Sequence, residues 1–460
     1  MTDPRPLSVA VVGAGPAGIY AADILSKSGL PVSIDMFERL PAPYGLVRYG
    51  VAPDHPRIKQ IMVALFRILE RGDIRLIGNV DVGEDVSVAQ LREHYDAVVL
   101  ATGSDRDAPL DLPGADLPEV YGASEFVFWY DGHPDVPRTW PLVAREVAVL
   151  GVGNVALDVA RILTKRVDDL ARTDIPDNVV QALRDNPVTD VHVFGRRGPA
   201  QAKFTPLELR ELGQVPGVDV VVYEEDFDFD DASEAAIRSS NQTKQVVKQL
   251  VDWTLKEPAD LTAPRRIHLH FLHSPVEVLG RDGHVVGIRT ERTALQGDGT
   301  VRGTGEFVDT PVQAVYRAVG YFSSPIAGVP FDDVHGVVPN AEGRVLGGDG
   351  QPVPGLYASG WVKRGPVGLI GSTKSDAQQT IAHLVEDAHA GRLHASGDRD
   401  AVVRALEAAG VRYTTWQGWE LLDAYERGLG EQTGRERLKV VERETMVAVS
   451  RVEEHAGKLW

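Results

Sequence analysis

Val9-Ala10-Val11-Val12-Gly13-Ala14-Gly15-Pro16-Ala17-Gly18 joins a short apolar run to a glycine-rich turn. The run reads as a buried strand, and a helical pattern follows over 19–26. Val32-Ser33-Ile34-Asp35-Met36-Phe37 then reads as a second strand with Glu38 at its tip. Strand, glycine turn, helix and acid-tipped strand make up a dinucleotide-binding unit. Gly13 permits the tight turn, Gly15 lets a pyrophosphate approach the backbone, and Gly18 lets the helix pack close to the sheet. The helix N-terminus offers free N–H groups and partial positive charge to phosphates. Glu38 is placed to accept hydrogen bonds from ribose hydroxyls. A glycine turn without a ligand is the competing reading.

A second unit repeats the pattern. Glu146-Val147-Ala148-Val149-Leu150 reads as a strand, Gly151-Val152-Gly153-Asn154-Val155-Ala156 as its turn and 157–167 as its helix. Ala156 takes the third glycine position, an accepted variant. The next strand, Asp190-Val191-His192-Val193-Phe194, ends in Gly195-Arg196-Arg197-Gly198-Pro199. An NAD site would present an acid here, and two arginines stand instead. Paired guanidiniums suit a dianionic 2′-phosphate, which points to NADP. The spacing exceeds the usual run of about 20 residues, and a polar insert over 168–187 accounts for it. Two solvated arginines at a strand end are the alternative.

At 460 residues the chain exceeds one ordinary hydrophobic core, so two or three domains are expected. Apolar residues at 43% and charged residues at 25% fit a soluble globular protein. The net charge of −18 argues against nucleic acid or an anionic membrane as the main partner. The absence of cysteine excludes disulfides, a redox-active thiol pair and thiolate-held iron–sulfur clusters in this chain. No apolar run is long enough to span a bilayer. The stretch before Val9 is too short for a targeting peptide, so a reducing cytoplasm is the expected compartment.

Residues 41–56 form a proline- and glycine-rich loop past the acidic strand tip, carrying Tyr44, Arg48 and His55. Residues 95–100 read as a buried strand closing in Ala101-Thr102-Gly103, and 104–145 as the crossing into a second domain. In 203–212, Thr205 is placed as an N-cap, and Glu208 and Glu211 share one helix face. An acidic surface patch over 224–234 and a helix over 239–255 follow. His268 and His270 share a strand face that a solvent-facing stripe explains, and no metal is expected. Residues 314–320 read as a strand returning to the first domain. Gly365-Pro366-Val367-Gly368-Leu369-Ile370-Gly371 is a glycine loop before a helix from Thr373, whose start would stabilise the negative charge of a reduced flavin.

These stretches, above all Gly-Leu-Val-Arg-x-Gly-Val-Ala-Pro-Asp-His-Pro at 45–56 and Gly-Asn-Val-Ala-x-Asp-Val-Ala-Arg at 153–161, resemble NADPH–ferredoxin reductases of the adrenodoxin-reductase type, particularly the actinobacterial branch. The resemblance runs nearly the full length. It implies an α/β fold of two Rossmann-like, three-layer ββα-type dinucleotide-binding domains. An NADP domain (106–331) is inserted in an FAD domain made of 1–105 and 332–460. It further implies that Ala17, Glu38, Leu46 and Val82 contact FAD and that Trp361, Gly368, Leu369 and Ile370 line the flavin ring. Gly153, Asn154, Val155, Ala156, Arg196, Arg197 and Glu208 would hold NADP, and His55 and Glu211 would lie near the nicotinamide and flavin. Where the family often carries an arginine, this chain has Ala108, with Arg106 two places earlier.

The implied activity is electron transfer from NADPH through FAD to a ferredoxin, with a cytochrome P450 as a downstream user and a monomer as the working state. Arg48, Arg57, Lys59, Lys203, Arg210, Arg238, Lys244, Lys248, Lys363 and Arg364 are expected to form a positive docking rim on the acidic body. Reductases that use a dithiol and electron-input subunits with cluster cysteines are excluded by composition. A flavin monooxygenase and a non-enzymatic dinucleotide sensor are the remaining alternatives.

Overall fold

The structure, a computed structural model, describes residues 5–368, 370–393 and 397–451. The chain divides into two compact units. One comprises Met1–Arg106, Asp131–Val136 and Tyr321–Trp460, and the other Asp107–Tyr130 and Pro137–Gly320. The second unit thus closes at Gly320 rather than at residue 331, and the short stretch 131–136 belongs to the first.

The first unit is built on a seven-stranded sheet in the order Asn340–Ala341, Arg344–Leu346, Pro352–Ala358, Ala97–Leu100, Leu7–Val12, Val32–Glu38, Ile74–Gly78. The last five run parallel, with Val9 paired to Ile34 on one side and to Ala97 on the other. Parallel strands bury both faces, and side chains alternate between them. Val9, Val11, Ile34, Met36 and Val99 therefore enter one core, beneath helices Pro16–Ser26 and Ile370–His389. Ala10, Val12, Phe37, Val98 and Leu100 enter the other, beneath helices Val88–His94 and Asp400–Ala408.

The second unit has six parallel strands in the order Val120–Gly122, Ala314–Arg317, Glu146–Leu150, Asp190–Phe194, Arg265–His270, Val218–Val222. An antiparallel meander, His273–Arg281, His284–Leu295 and Val301–Thr310, packs on this sheet through Val278, Val285 and Ile288 against Ala148, Leu150 and Phe194. In both units the strand that runs into the glycine turn lies inside the sheet, and the acid-tipped or arginine-tipped strand is its neighbour.

Several elements differ from the sequence reading. The helix after the second glycine turn is Asn154–Thr164, because the small turn residues already take helical backbone. The polar insert holds helices Val167–Leu170 and Asp177–Arg184, anchored by buried Leu170, Val179 and Leu183. The crossing segment contains helix Ala123–Tyr130, whose Phe126 and Trp129 join Trp140 and Tyr316 in an aromatic cluster. The helix read over 239–255 is Asn241–Thr254, capped by Ser240. Asp226, in the acidic run, is buried. It accepts from Phe271 N at 2.9 Å and pairs with Arg292.

The His268 face is a packed ladder rather than a solvent stripe. His192, Phe194, His268, His270 and Tyr223 lie nearly parallel across neighbouring strands, with His192 and His270 sharing a hydrogen bond of 3.0 Å. His268 is held by Asp190 at 3.0 Å and by the Tyr223 hydroxyl at 2.8 Å. Burial, reinforced by neighbouring His268, takes His192 down to about 4. Burial and the charges of His192 and His273 take His270 down to about 2, and burial beside Arg292 takes His273 down to about 4. The unfolded chain binds protons on these rings near the ordinary histidine value of about 6.5, while the fold refuses them. Stability should therefore fall as pH drops below about 6.5, with the loss from His192 and His273 complete near 4 and that from His270 continuing to about 2. Replacing His192 and His270 together by phenylalanine should flatten this acid limb in melting temperatures measured against pH; an unchanged slope would refute the assignment.

Candidate functional site

Both glycine turns are shaped by close backbone approach. Gly13 has φ 105, and a Cβ there would lie 2.5 Å from Ala101 O. A Cβ on Gly18 would lie 1.9 Å from Gly13 O, so only glycine lets this helix start so close to the sheet. In the second unit Gly151 has φ 133, and a Cβ there would lie 2.2 Å from Ala318 O, whereas the space around Gly153 is open. Helices Pro16–Ser26 and Asn154–Thr164 both follow a glycine and have no side-chain N-cap. Their first N–H groups and positive ends are therefore available to phosphate oxygens.

Other segments of the first unit gather at the start of helix Pro16–Ser26. Buried Glu38 accepts from Ala14 N at 2.7 Å and from Leu40 N at 3.0 Å, which locks the acid to the glycine turn. Burial pushes its carboxyl up, against the downward pull of these two donors. Tyr44 (φ 86) and Gly45 (φ 49) fold the next loop onto the turn, where a Cβ on Gly45 would lie 3.2 Å from Gly15 Cα. Leu46 opens the short helix Leu46–Tyr49 behind it. From the far end of the sequence, Gly360 (φ 78) arrives against Ala17, where a Cβ would lie 2.5 Å from the alanine methyl. Asp376 holds this arrival by accepting from Gly360 N at 2.6 Å. The sequence reading placed Tyr44 in this loop but missed its left-handed backbone and the role of Asp376. Only the paired glycines beside them hinted at close approach. Trp361 follows Gly360 and stacks on Tyr321 at 6.2 Å between ring centres.

In the second unit, Arg196 is exposed and Arg197 half-buried at the tip of strand Asp190–Phe194. Gly195 packs against Val152 of the glycine turn, so the arginine tip and the phosphate turn adjoin. Asn154 accepts from Thr205 N at 2.9 Å and ties the turn to helix Pro206–Leu212, which Thr205 caps by accepting from Glu208 N at 3.3 Å. Glu208 is buried with Oε2 3.6 Å from Arg161, and Glu211 is half-buried on the same helix.

Residues 7–193 match the pyridine nucleotide-disulphide oxidoreductase family. Over 453 residues the chain is 42% identical to the NADPH-ferredoxin reductase FprA of Mycobacterium tuberculosis, spanning 95% of this chain and 97% of that protein. Over 462 residues it is 38% identical to the mitochondrial NADPH:adrenodoxin oxidoreductase of Arabidopsis thaliana, spanning 97% and 96%. The solved structure of M. tuberculosis FprA in complex with NADPH matches it with a TM-score of 0.90 at 41% identity, covering 97% of this chain and 100% of that one. The chain belongs to the adrenodoxin-reductase type of NADPH–ferredoxin reductases.

Within that family, the residues singled out from the sequence fall as follows. Gly13, Gly15, Ala17, Gly18, Glu38 and Leu46 converge in the first unit, with buried Val82 beyond the acid. Gly151, Gly153, Asn154, Val155, Ala156, Arg196 and Arg197 lie at one end of the second unit's sheet, with Glu208 nearby on the helix tied to the turn. His55, buried at the start of helix Pro56–Lys59, belongs to the first unit and Glu211 to the second. Gly368 is described, Leu369 lies outside the described residues, and Ile370 opens helix Ile370–His389. Arg106 donates to Ser323 O at 2.8 Å within the first unit.

The expected positive rim needs correction at three residues. Arg48 is buried against Glu426 at 2.5 Å, Lys59 against Asp131 at 3.4 Å, and Lys363 against Asp376 at 3.1 Å. A cation taken out of water requires such a partner, and none of the three faces an approaching protein. Arg57, Lys203, Arg210 and Lys244 are exposed, as are Arg238 and Lys248, which pair with Glu234 and Asp252. Among the described residues no helix is long and apolar enough to cross a membrane.

Proposed function

We propose that the chain is an FAD-containing reductase that takes electrons from NADPH and passes them singly to a ferredoxin. One observation carries this reading: two glycine turns of the same build end differently, one locked to an acid and the other beside two arginines. The acid suits ribose hydroxyls, and the arginines suit a 2′-phosphate. The residues fit FAD in the first unit, because Gly15 has only Gly45 Cα at 3.9 Å from a Cβ position and the helix behind it is uncapped. We assign FAD to the first unit and NADP to the second.

When bound, FAD supplies the passage from a two-electron hydride donor to one-electron transfer. The protein binds and orients. Glu38 and the first helix start hold the adenosine diphosphate portion, with Ala17, Leu46 and Val82 beside it. Trp361 and Gly368 line the ring. Gly153 to Ala156, Arg196, Arg197 and Glu208 hold NADP. His55 and Glu211 tune the electrostatics of hydride transfer, which requires no protein nucleophile. Exposed Lys203, Arg210, Lys244 and Lys248 meet an acidic ferredoxin; helix Asn241–Thr254 reaches the segment before helix Pro206–Leu212 through a Gln242 bond to Phe204 O at 3.3 Å. A monomeric, cytoplasmic state and a cytochrome P450 downstream belong to the same proposal and rest on the resemblance to the actinobacterial branch.

Replacing Arg196 and Arg197 together by alanine should raise the KM for NADPH by about tenfold per arginine and leave that for NADH nearly unchanged, with ferricyanide as acceptor. An intact preference for NADPH would move cofactor selection elsewhere. NADPH-driven reduction of cytochrome c through added ferredoxin should slow as salt rises. A rate indifferent to ionic strength, or unchanged when Arg210, Lys244 and Lys248 become glutamate, would remove the docking surface.

A further inference from the structure

The main chain that carries the two arginines is held along its length. Gly195 N donates to His270 O at 2.8 Å, and Gly195 O accepts from His273 N at 3.0 Å. Arg197 O accepts from Leu272 N at 3.2 Å. These bonds are made by backbone, and no side chain at 270, 272 or 273 is required for them. The remaining carbonyl differs. Arg196 O accepts from the hydroxyl of buried Thr293 at 2.7 Å, a side-chain bond that the sequence selects.

The surroundings are arranged around this bond. Thr293 lies on the meander strand His284–Leu295, whose register with Val301–Thr310 shifts between Glu291 and Thr293. Such irregularities re-aim a side chain, and a β-branched threonine has few rotamers to lose. Thr293 N donates to Leu272 O at 2.8 Å, so one residue grips both the arginine loop and the turn beside it. Leu272 has φ 56, a left-handed conformation that is uncommon for leucine. In this conformation the turn presents two successive N–H groups to the loop. Phe271 N is fixed in turn by buried Asp226.

We infer that Thr293 is a positioning residue for recognition of the 2′-phosphate. Its hydroxyl holds the Arg196 carbonyl, which fixes the direction in which both guanidiniums leave the backbone. A pair of arginines on an immobile loop loses less freedom on meeting a phosphate than the same pair on a mobile one. This inference rests on the reading of Arg196 and Arg197 as the 2′-phosphate site. It adds a determinant that touches neither cofactor nor substrate.

The test is calorimetric titration of the flavin-loaded protein with adenosine 2′,5′-bisphosphate, which carries the 2′-phosphate, and with AMP, which lacks it. Thr293→Val keeps shape and removes the donor, and it should weaken the bisphosphate by about three- to tenfold with AMP unchanged. Thr293→Ser, which restores the donor, should bind both ligands nearly as the parent does. Thr293→Ala replaces the valine variant if circular dichroism shows the latter misfolded. Arg196→Ala is measured in parallel. Unchanged bisphosphate binding in the donor-less variant, with Arg196→Ala weakened, would overturn the inference and leave the arginine site intact. Equal weakening of both ligands would overturn it in favour of a merely structural threonine. Unaffected binding in Arg196→Ala would defeat the arginine reading and this inference with it.

Discussion

The contact between the first helix and the turn that launches it governs the first unit. With no side chain at Gly18, the helix starts where any Cβ would collide with Gly13 O. With no side chain at Gly13, that turn in turn rests against Ala101 O. The helix N-terminus is thereby brought to the edge of the sheet, where its N–H groups and dipole act on one point. Glu38 reaches back to Ala14 N across the same edge. The second unit repeats the constraint with Gly151 against Ala318 O, and changes only what stands at the neighbouring strand tip. The turn is kept in both units, and the charge beside it differs in sign.

The first unit is assembled from distant parts of the chain, and buried ions join them. Arg48 meets Glu426 across most of the sequence, and Arg437 approaches the same carboxylate at 3.4 Å. Lys439 donates to Arg48 O at 2.9 Å and to Asp131 Oδ1 at 3.1 Å, and Lys59 reaches the same aspartate. Arg48 also lies over the ring of Trp419, which meets Tyr44 edge-on. Charges in such a place are costly to leave unpaired. The network therefore ties the loop after the acidic strand to helix Trp416–Glu431.

Much of this was legible in the sequence, for local reasons. Glycine spacing, the acid at Glu38, the arginines at 196 and 197 and the Thr205 cap are each fixed by neighbours a few residues away. What was not legible depends on partners far along the chain. Arg48, Lys59 and Lys363 read as surface cations because Glu426, Asp131 and Asp376 are invisible to a local pattern. Asp226 looked like part of a solvated acidic run because Arg292, which buries it, belongs to the meander. The histidine ladder looked like an exposed stripe because its packing partners, His192 and Tyr223, come from adjacent strands. Helix Ala123–Tyr130 was hidden by prolines and glycines that flank it without entering it.

The proposed assignment puts FAD at the acid-locked turn and NADPH at the arginine-tipped turn. Anaerobic titration of the purified protein with NADPH, followed by visible absorbance, tests it most directly. The account predicts flavin bands corresponding to one FAD per chain, which bleach with NADPH and respond far less to NADH at the same concentration. A protein that is colourless and takes up no added FAD, or flavin bands that NADPH leaves unchanged, would contradict it.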